Sequence, residues 1–304
     1  MTTARSAVLA GAATYVIWGL VPLVFQAIGR AGPGPWEILS HRVLWGALAT
    51  AALLVARRGL APLGRVLSNP RTLGLLSLSA VLIAINWGLF IWAVNSGRTL
   101  QTSLGYYITP LISMAAGALI FRERIDRYLG VAMGLAAVGV VVQAFAGAHV
   151  PWVALAIAFS FGGYGVVRKR VEADAQPGFL VECLVLLIPA AIYLGWLGAR
   201  GEGHFGVTAT ATVWLVAAGP ITALPLVLFA WAARRLPLSL MGFLQFLSPT
   251  ISLVIGVMEG EPFSALRALS FLFIWAGAAV YVLGMASRAR AARPALAAER
   301  EAQG

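Results

Sequence analysis

Long apolar segments alternate with short polar segments along nearly the whole chain. A mainly apolar segment of about 20 residues can cross the ~30 Å hydrocarbon layer of a membrane as an α-helix. Ten segments meet this requirement, so the pattern predicts an all-α integral membrane protein with ten spans. The first apolar segment is too long for a secretory signal peptide and leads directly into further spans, so we expect it in the mature protein. The predicted spans are 6–28, 36–56, 72–95, 102–121, 128–147, 150–167, 179–197, 211–233, 239–258 and 264–286.

The basic residues indicate how these spans are oriented. The net charge of +11 would suggest a nucleic-acid partner in a soluble protein, but 60% of this chain is hydrophobic and only 11% is charged. If the amino terminus is cytoplasmic, 17 of the 22 basic residues fall on that side, as the positive-inside rule requires. We therefore predict that both termini are cytoplasmic, that the partner is membrane lipid and that no nucleic acid binds. The opposite side carries Arg30, Arg98, Arg200 and Arg267.

Several classes of pump and enzyme lack the residues that their chemistry needs. The single lysine, Lys169, follows Arg168 and not glycine, so there is no Walker A loop for ATP phosphates. The two aspartates, Asp126 and Asp174, fall in predicted loops, which excludes an aspartyl dyad within the membrane. The three histidines lie in separate segments without an H-E-x-x-H pair, and Cys183 is alone. We predict no ATP-driven pump, no metal site and no cofactor.

An internal repeat is the strongest pattern in the sequence. Shifting the chain by 139 residues aligns "LFIWA" at Leu89–Ala93 with "LFAWA" at Leu228–Ala232. The same shift aligns "YITPLISMAAG" at Tyr107–Gly117 with "FLSPTISLVIG" at Phe246–Gly256. Chance matching of apolar residues explains the paired Trp, Pro, Ser and Gly poorly, so we predict a duplication. The predicted division is a first repeat at 1–147, a second repeat at 148–286 and a disordered basic cytoplasmic tail at 287–304.

Five spans in each repeat would give the two copies opposite orientations in the membrane. Inverted repeats characterise secondary transporters, whose two halves form a site near the midplane and expose it alternately to each side. Pro110 and Pro249 occupy matched positions, and each removes a backbone donor in mid-helix, which is tolerated beside protein or a wet cavity. We predict that both shape the cavity or its gates, although an ordinary proline kink would also explain them. Gly130 and Gly134 in the fifth span predict close helix packing.

A series of short motifs extends over residues 6–286: "YVIWGLVPL", "EILSHRVLW", "NWGLFIWAVNSGRTLQTSLGYYITPL", "SFGGYGVVRK", "VECLVLLIPAAIY", "GFLQFLSPT", "GEPF" and "FIWAGAAVY". In this order they resemble the RarD branch of the EamA transporters, within the drug/metabolite transporter superfamily. The resemblance implies ten helices in two inverted EamA repeats. It also implies a central cavity between the first, third, fourth, sixth, eighth and ninth spans.

Polar and aromatic residues on those six spans are candidates for the substrate pathway. Asn86 is the clearest of them, because an amide in mid-span is costly against lipid and needs a partner. Binding a solute and bonding between helices are equally good explanations for Asn86, and packing would also explain the others. The candidates are Gln26, Asn86, Trp87, Tyr106, Tyr107, Tyr164 and Gln245.

Ionisable residues also occur early in the second and seventh spans. Glu37 falls in the first turn of the second span, where an acid suits the helix dipole, but Arg42 lies roughly 7.5 Å deeper. We predict that Glu37, His41 and Arg42 form a polar network at the outer mouth of the pathway. Glu182 would have the corresponding role at the inner mouth, in gating or proton coupling. A network that only orients the helix is the alternative.

These patterns together predict a secondary transporter of a small organic metabolite or drug. It would work by alternating access without ATP hydrolysis, in the cytoplasmic (inner) membrane of a bacterium, and the family resemblance implies export. An intramembrane enzyme or a lipid flippase that uses the Glu37, His41 and Arg42 cluster is the alternative. The cargo, the coupling ion and the oligomeric state stay open.

Overall fold

The computed structural model describes residues 3–56, 61–120, 127–146, 151–233 and 244–301, and these residues form α-helices joined by short connections. Nine of the predicted spans coincide with helices over their described residues, and α3 is an additional short helix. The first residues of the remaining predicted span, 239–258, lie outside the described residues, and its later part forms a helix. The last helix continues past the predicted end near 286. The helices are α1 (Thr3–Arg30), α2 (Pro35–Ala56), α3 (Ala61–Leu67), α4 (Pro70–Asn95), α5 (Thr99–Ile120), α6 (Arg127–Ala146), α7 (Trp152–Lys169), α8 (Ala175–Arg200), α9 (Ala209–Ala233), α10 (Leu247–Met258) and α11 (Ala265–Glu301).

Helix length and side-chain exposure both fit a membrane environment. Among the described residues, α1, α2, α4, α8 and the first part of α11 are long and apolar enough to cross a membrane. Apolar segments of α6, α7, α9 and α10 are shorter. Large apolar side chains on the outside of the bundle, such as Val81, Ile188 and Leu272, are more than half exposed. Such a surface is unfavourable in water and suits contact with lipid.

The helices of the first half of the chain pack mainly against helices of the second half. α1 packs on α9 and α10, while α7 packs on α4 and α5. α2 contacts α9, as α8 contacts α4, and α2 also contacts α8 directly. α5 packs on α10, and α6 on α11. Exchanging α1, α2, α4, α5 and α6 with α7, α8, α9, α10 and α11 reproduces this set of neighbours.

The contact between α6 and α11 shows the same correspondence residue by residue. A Cβ atom at Gly139 would lie 2.8 Å from the carbonyl oxygen of Ser270, and one at Gly277 would lie 2.9 Å from that of Ala132. Gly139 and Gly277 are 138 residues apart in the chain, and so are Ala132 and Ser270. Helices in a membrane approach closely where small residues face each other. The predicted close packing is not found at Gly134, where a Cβ would meet no atom of the described residues within 4 Å.

The two ends of the bundle differ in charge. The connections α1–α2, α4–α5, α8–α9 and α10–α11 meet at one end, which we call the α1–α2 end. α3 and the α7–α8 connection pack together at the opposite end, which we call the α7–α8 end. The predicted cytoplasmic position of the α7–α8 end depends on this asymmetry of basic residues. Basic residues at the α1–α2 end are Arg30, Arg98, Arg200 and Arg267, and those at the α7–α8 end include Arg65, Arg71, Arg168 and Arg170.

Candidate functional site

A cavity of about 220 Å³ lies between the two halves. Its described lining comes mainly from α1, α4, α5, α7, α9 and α10, with Gln245 just before α10, and these are the six spans that the family resemblance implies. α2 and α8 add one residue each, Arg42 and Phe179. An engineered apolar cavity of ~150 Å³ binds benzene. The space between the halves is therefore large enough for a solute with one ring and small substituents.

Arg42 reaches the cavity from α2. Its Nε donates a hydrogen bond to Thr222 Oγ1 on α9 at 3.1 Å, and the Thr222 hydroxyl donates in turn to the carbonyl oxygen of Ala218. The guanidinium carbon lies 4.0 Å from the ring centre of Trp87 and 5.1 Å from that of Phe25. Within the part of the chain that the structure describes, no carboxylate pairs with Arg42 and its two Nη groups make no hydrogen bond.

The rest of the described cavity lining carries no formal charge. Trp18, Phe90 and Phe161 present aromatic faces, and Gln245 and Ser248 add neutral polar groups. A mainly apolar wall with a few polar groups is typical of small-molecule sites. The residues predicted for the pathway that line this cavity are Arg42, Trp87, Tyr106, Tyr164, Gln245 and Pro249.

Asn86 is fully buried and joins three helices. Its Nδ2 donates to the carbonyl oxygen of Ile157 at 3.1 Å and to Ser160 Oγ at 3.2 Å, both on α7. Its Oδ1 accepts a hydrogen bond from the Tyr106 hydroxyl on α5 at 3.0 Å. Bonding between helices therefore accounts for the amide. Because the Tyr106 ring lines the cavity, Asn86 also orients one of its walls.

Among the described residues, Glu37, His41 and Arg42 make no hydrogen bond to one another, and each has a different partner. One oxygen of Glu37 accepts from the backbone nitrogen of His204 at 2.7 Å, and the other lies 2.8 Å from His204 Nδ1. His41 stacks on Phe205 with ring centres 5.0 Å apart. Successive helical residues are rotated by about 100°. Arg42 consequently faces the cavity, while His41 faces the α8–α9 connection.

Glu182 is only 1% exposed and connects α8 with α4 and α7 near the α7–α8 end. Its Oε1 accepts a hydrogen bond from Ser79 Oγ at 2.5 Å and lies 3.6 Å from Arg168 Nη1. The Tyr164 hydroxyl donates to Oε2 at 3.4 Å. A Cβ at Gly178 would overlap the Arg168 guanidinium, so the ion pair depends on this glycine.

Gln26 belongs to a contact at the α1–α2 end and does not line the cavity. Its Nε2 donates to Glu259 Oε2 at 2.8 Å and to Thr99 Oγ1 at 3.3 Å. Close by, both oxygens of Glu261 accept from the backbone nitrogen of Leu100 in the first turn of α5. Burial raises the pKa of the Glu261 carboxyl above its ordinary value. These contacts hold α1 and α5 against the α10–α11 connection.

Tyr107 packs between helices and does not line the cavity. Its hydroxyl is hydrogen-bonded to Thr250 and accepts from Trp275 Nε1 at 2.6 Å. The ring also stacks on Phe246. Tyr107 therefore joins α5 to α10 and α11. This contact agrees with packing between helices, which was the alternative to a place in the substrate pathway.

Pro249 lines the cavity near the start of α10. The backbone stays helical across this point, because Phe246 has helical backbone angles and its carbonyl oxygen accepts from the Thr250 backbone nitrogen at 3.3 Å, so proline removes only its own N–H bond. The Pro249 carbonyl oxygen accepts from Ser103 Oγ on α5 at 2.6 Å. Pro110 lies within the continuous helix α5, and its side chain is outside the described residues.

Known proteins resemble this chain over nearly its full length. Residues 5–145 match the model of the EamA-like transporter family. "Protein RarD" of Salmonella typhi is 42% identical over 281 residues, covering 92% of this chain and 95% of that protein. An "Uncharacterized transporter" of Vibrio cholerae is 39% identical over 295 residues, covering 96% and 97%. A solved crystal structure with 20% identity aligns with a TM-score of 0.62 over 92% of this chain and 98% of that chain, which supports the fold alone.

Proposed function

The chain belongs to the EamA family of membrane transporters, and on this basis we propose that it is a secondary transporter of a small organic solute. The two halves, residues 1–147 and 148–286, act as inverted repeats and expose the cavity to one side of the membrane at a time, without ATP hydrolysis. The bacterial relatives support a location in the cytoplasmic (inner) membrane. Export is the direction implied by the sequence resemblance.

The cavity between the halves is the observation that carries this proposal. Both halves contribute to its wall, and the exchange of helices between the halves preserves the helix contacts around it. A change in the angle between the halves would thus alter access at both ends of the cavity. An enzyme or flippase that uses Glu37, His41 and Arg42 together is less well supported, because these three residues contact different parts of the molecule.

Contacts between the halves occur at both ends of the bundle and supply candidate gates. At the α1–α2 end, Gln26 binds Glu259, and Glu37 binds His204. At the α7–α8 end, Ser79 binds Glu182. In alternating access, the contacts at one end of the bundle break while the contacts at the other end form. If a proton drives transport, Glu182 is the group through which it would act, because this carboxylate is buried at the junction of the two halves.

Filling the cavity should abolish transport. We expect Ser248→Trp to lower the uptake of solutes into proteoliposomes at least tenfold, because the indole occupies space that the cargo needs. Val254→Trp, on the lipid-facing side of the same helix and 51% exposed, is the matched control and should retain uptake. The panel should contain aromatic acids, amino acids, nucleobases and amphenicols. Equal rates in the two folded variants for every transported solute would refute the proposed role of the cavity.

A further inference from the structure

The chemistry around Arg42 restricts the kind of solute that the cavity can hold. We infer that the cargo is a monocarboxylate with a single aromatic ring, such as a benzoate, bound through its carboxylate to Arg42. This inference rests on the proposed function only in taking the cavity as the transport site.

The charge of the site is the first part of the argument. Arginine stays protonated in proteins, and Arg42 is the one formally charged residue in the described cavity lining. Its Nε is held by Thr222, which leaves the two Nη groups for a ligand. A cation held away from water without a counter-ion is costly. A bound anion would therefore be stabilised by the protein and would offset that cost.

The number of charges decides which anion fits. One guanidinium balances one negative charge, and its planar pair of N–H groups matches the two oxygens of a carboxylate. A phosphate monoester carries nearly two negative charges, and no second cation is available in the described lining. An amino acid carries an ammonium group as well, for which this lining contains no carboxylate.

The walls beside Arg42 indicate the rest of the solute. Trp87 and Phe25 flank the guanidinium, and Phe90 and Tyr106 continue the aromatic wall. Aromatic rings prefer offset or edge-to-face contacts with one another. The volume of about 220 Å³ accommodates one ring with its carboxylate. A larger bicyclic solute would need the halves to separate.

Binding of matched ligands to the purified full chain in nanodiscs tests this inference. Radiolabelled benzoate, measured near pH 7 where it is ionised, should bind at least tenfold more tightly than benzamide, which has the same ring and no charge. Arg42→Met should abolish this preference while benzamide binding persists, and Arg42→Lys should retain part of it. Arg200→Met, which alters an exposed arginine, should behave as the unmodified protein. Equal affinities for benzoate and benzamide, or a preference that survives Arg42→Met, would overturn the inference.

A second variant and a comparison of binding with uptake separate the possible outcomes. If Arg42→Met does not fold, Thr222→Val removes the hydrogen bond that orients the guanidinium and should weaken benzoate binding about threefold to tenfold without affecting benzamide. An unchanged preference in Thr222→Val would then count against the inference.

Uptake and binding together distinguish this inference from the proposed function. If Ser248→Trp blocks the uptake of a neutral solute and the protein shows no preference for benzoate, the proposed transport is preserved and the anion site is refuted. Benzoate preference without any uptake would refute transport and preserve the anion site.

Discussion

Transport should stop when cysteines at positions 26 and 259 are joined by a reversible bifunctional thiol reagent, and it should return when the link is reduced. Gln26 Nε2 and Glu259 Oε2 are 2.8 Å apart at the α1–α2 end, and they belong to opposite halves. Both side chains are long, so the reagent must span more than the ~7 Å Cα separation that a direct disulfide tolerates. The link would hold the α1–α2 end closed and trap one state of the cycle.

The controls for this cross-link use the same chain. Cys183 is the one cysteine in the sequence, and replacing it by alanine removes background labelling. Gln26→Cys and Glu259→Cys alone, treated with the same reagent, should retain transport. Uptake that continues at the unmodified rate in fully cross-linked protein would show that the α1–α2 end does not need to open.

Gly219→Leu should prevent α2 and α9 from packing and should sharply reduce the yield of folded protein. A Cβ at Gly219 would overlap the backbone of Trp45 and would lie 2.6 Å from its carbonyl oxygen. Backbone atoms cannot rotate away as a side chain can, so the helices must separate. Overpacking costs about 1–3 kcal/mol where side chains can adjust, and we expect a larger loss of stability here. Thermal unfolding in detergent, followed by size-exclusion chromatography, measures the effect.

Gly195→Leu is the matched control for this substitution. Gly195 lies on α8, and a Cβ there would meet nothing within 4 Å. Both changes replace glycine by a stronger helix former, which favours the helix by about 1 kcal/mol in each case. The difference between the two variants therefore reports the α2–α9 contact. Similar melting temperatures for both would contradict the close approach at Gly219.

The apolar helices could be predicted because they depend on local properties of the chain. Lipid imposes a minimum length on each apolar segment, and the matched segments at Leu89–Ala93 and Leu228–Ala232 lie at the ends of α4 and α9. The position of Pro249 in the cavity wall could not be predicted from the repeated motif, because it depends on how α10 packs against the other helices.

The partners of the ionisable residues could not be predicted in the same way. Glu37, His41 and Arg42 are close in sequence, which suggested one network, but a helix separates neighbours by rotation. Arg42 binds Thr222 and Glu37 binds His204, and each partner is more than 160 residues away along the chain. Only the packing of α2 against α9 and the α8–α9 connection brings them together.

Two-sided access to the cavity is the central claim, and the labelling of one cysteine tests it most directly. Ser248→Cys would be made in a Cys183→Ala background and exposed to an impermeant thiol reagent in right-side-out and inside-out vesicles. The account predicts labelling from both sides while the vesicles remain impermeable to the reagent, with Val254→Cys unreactive from either side. Labelling of Ser248→Cys from one side only, under every condition that supports transport, would contradict it.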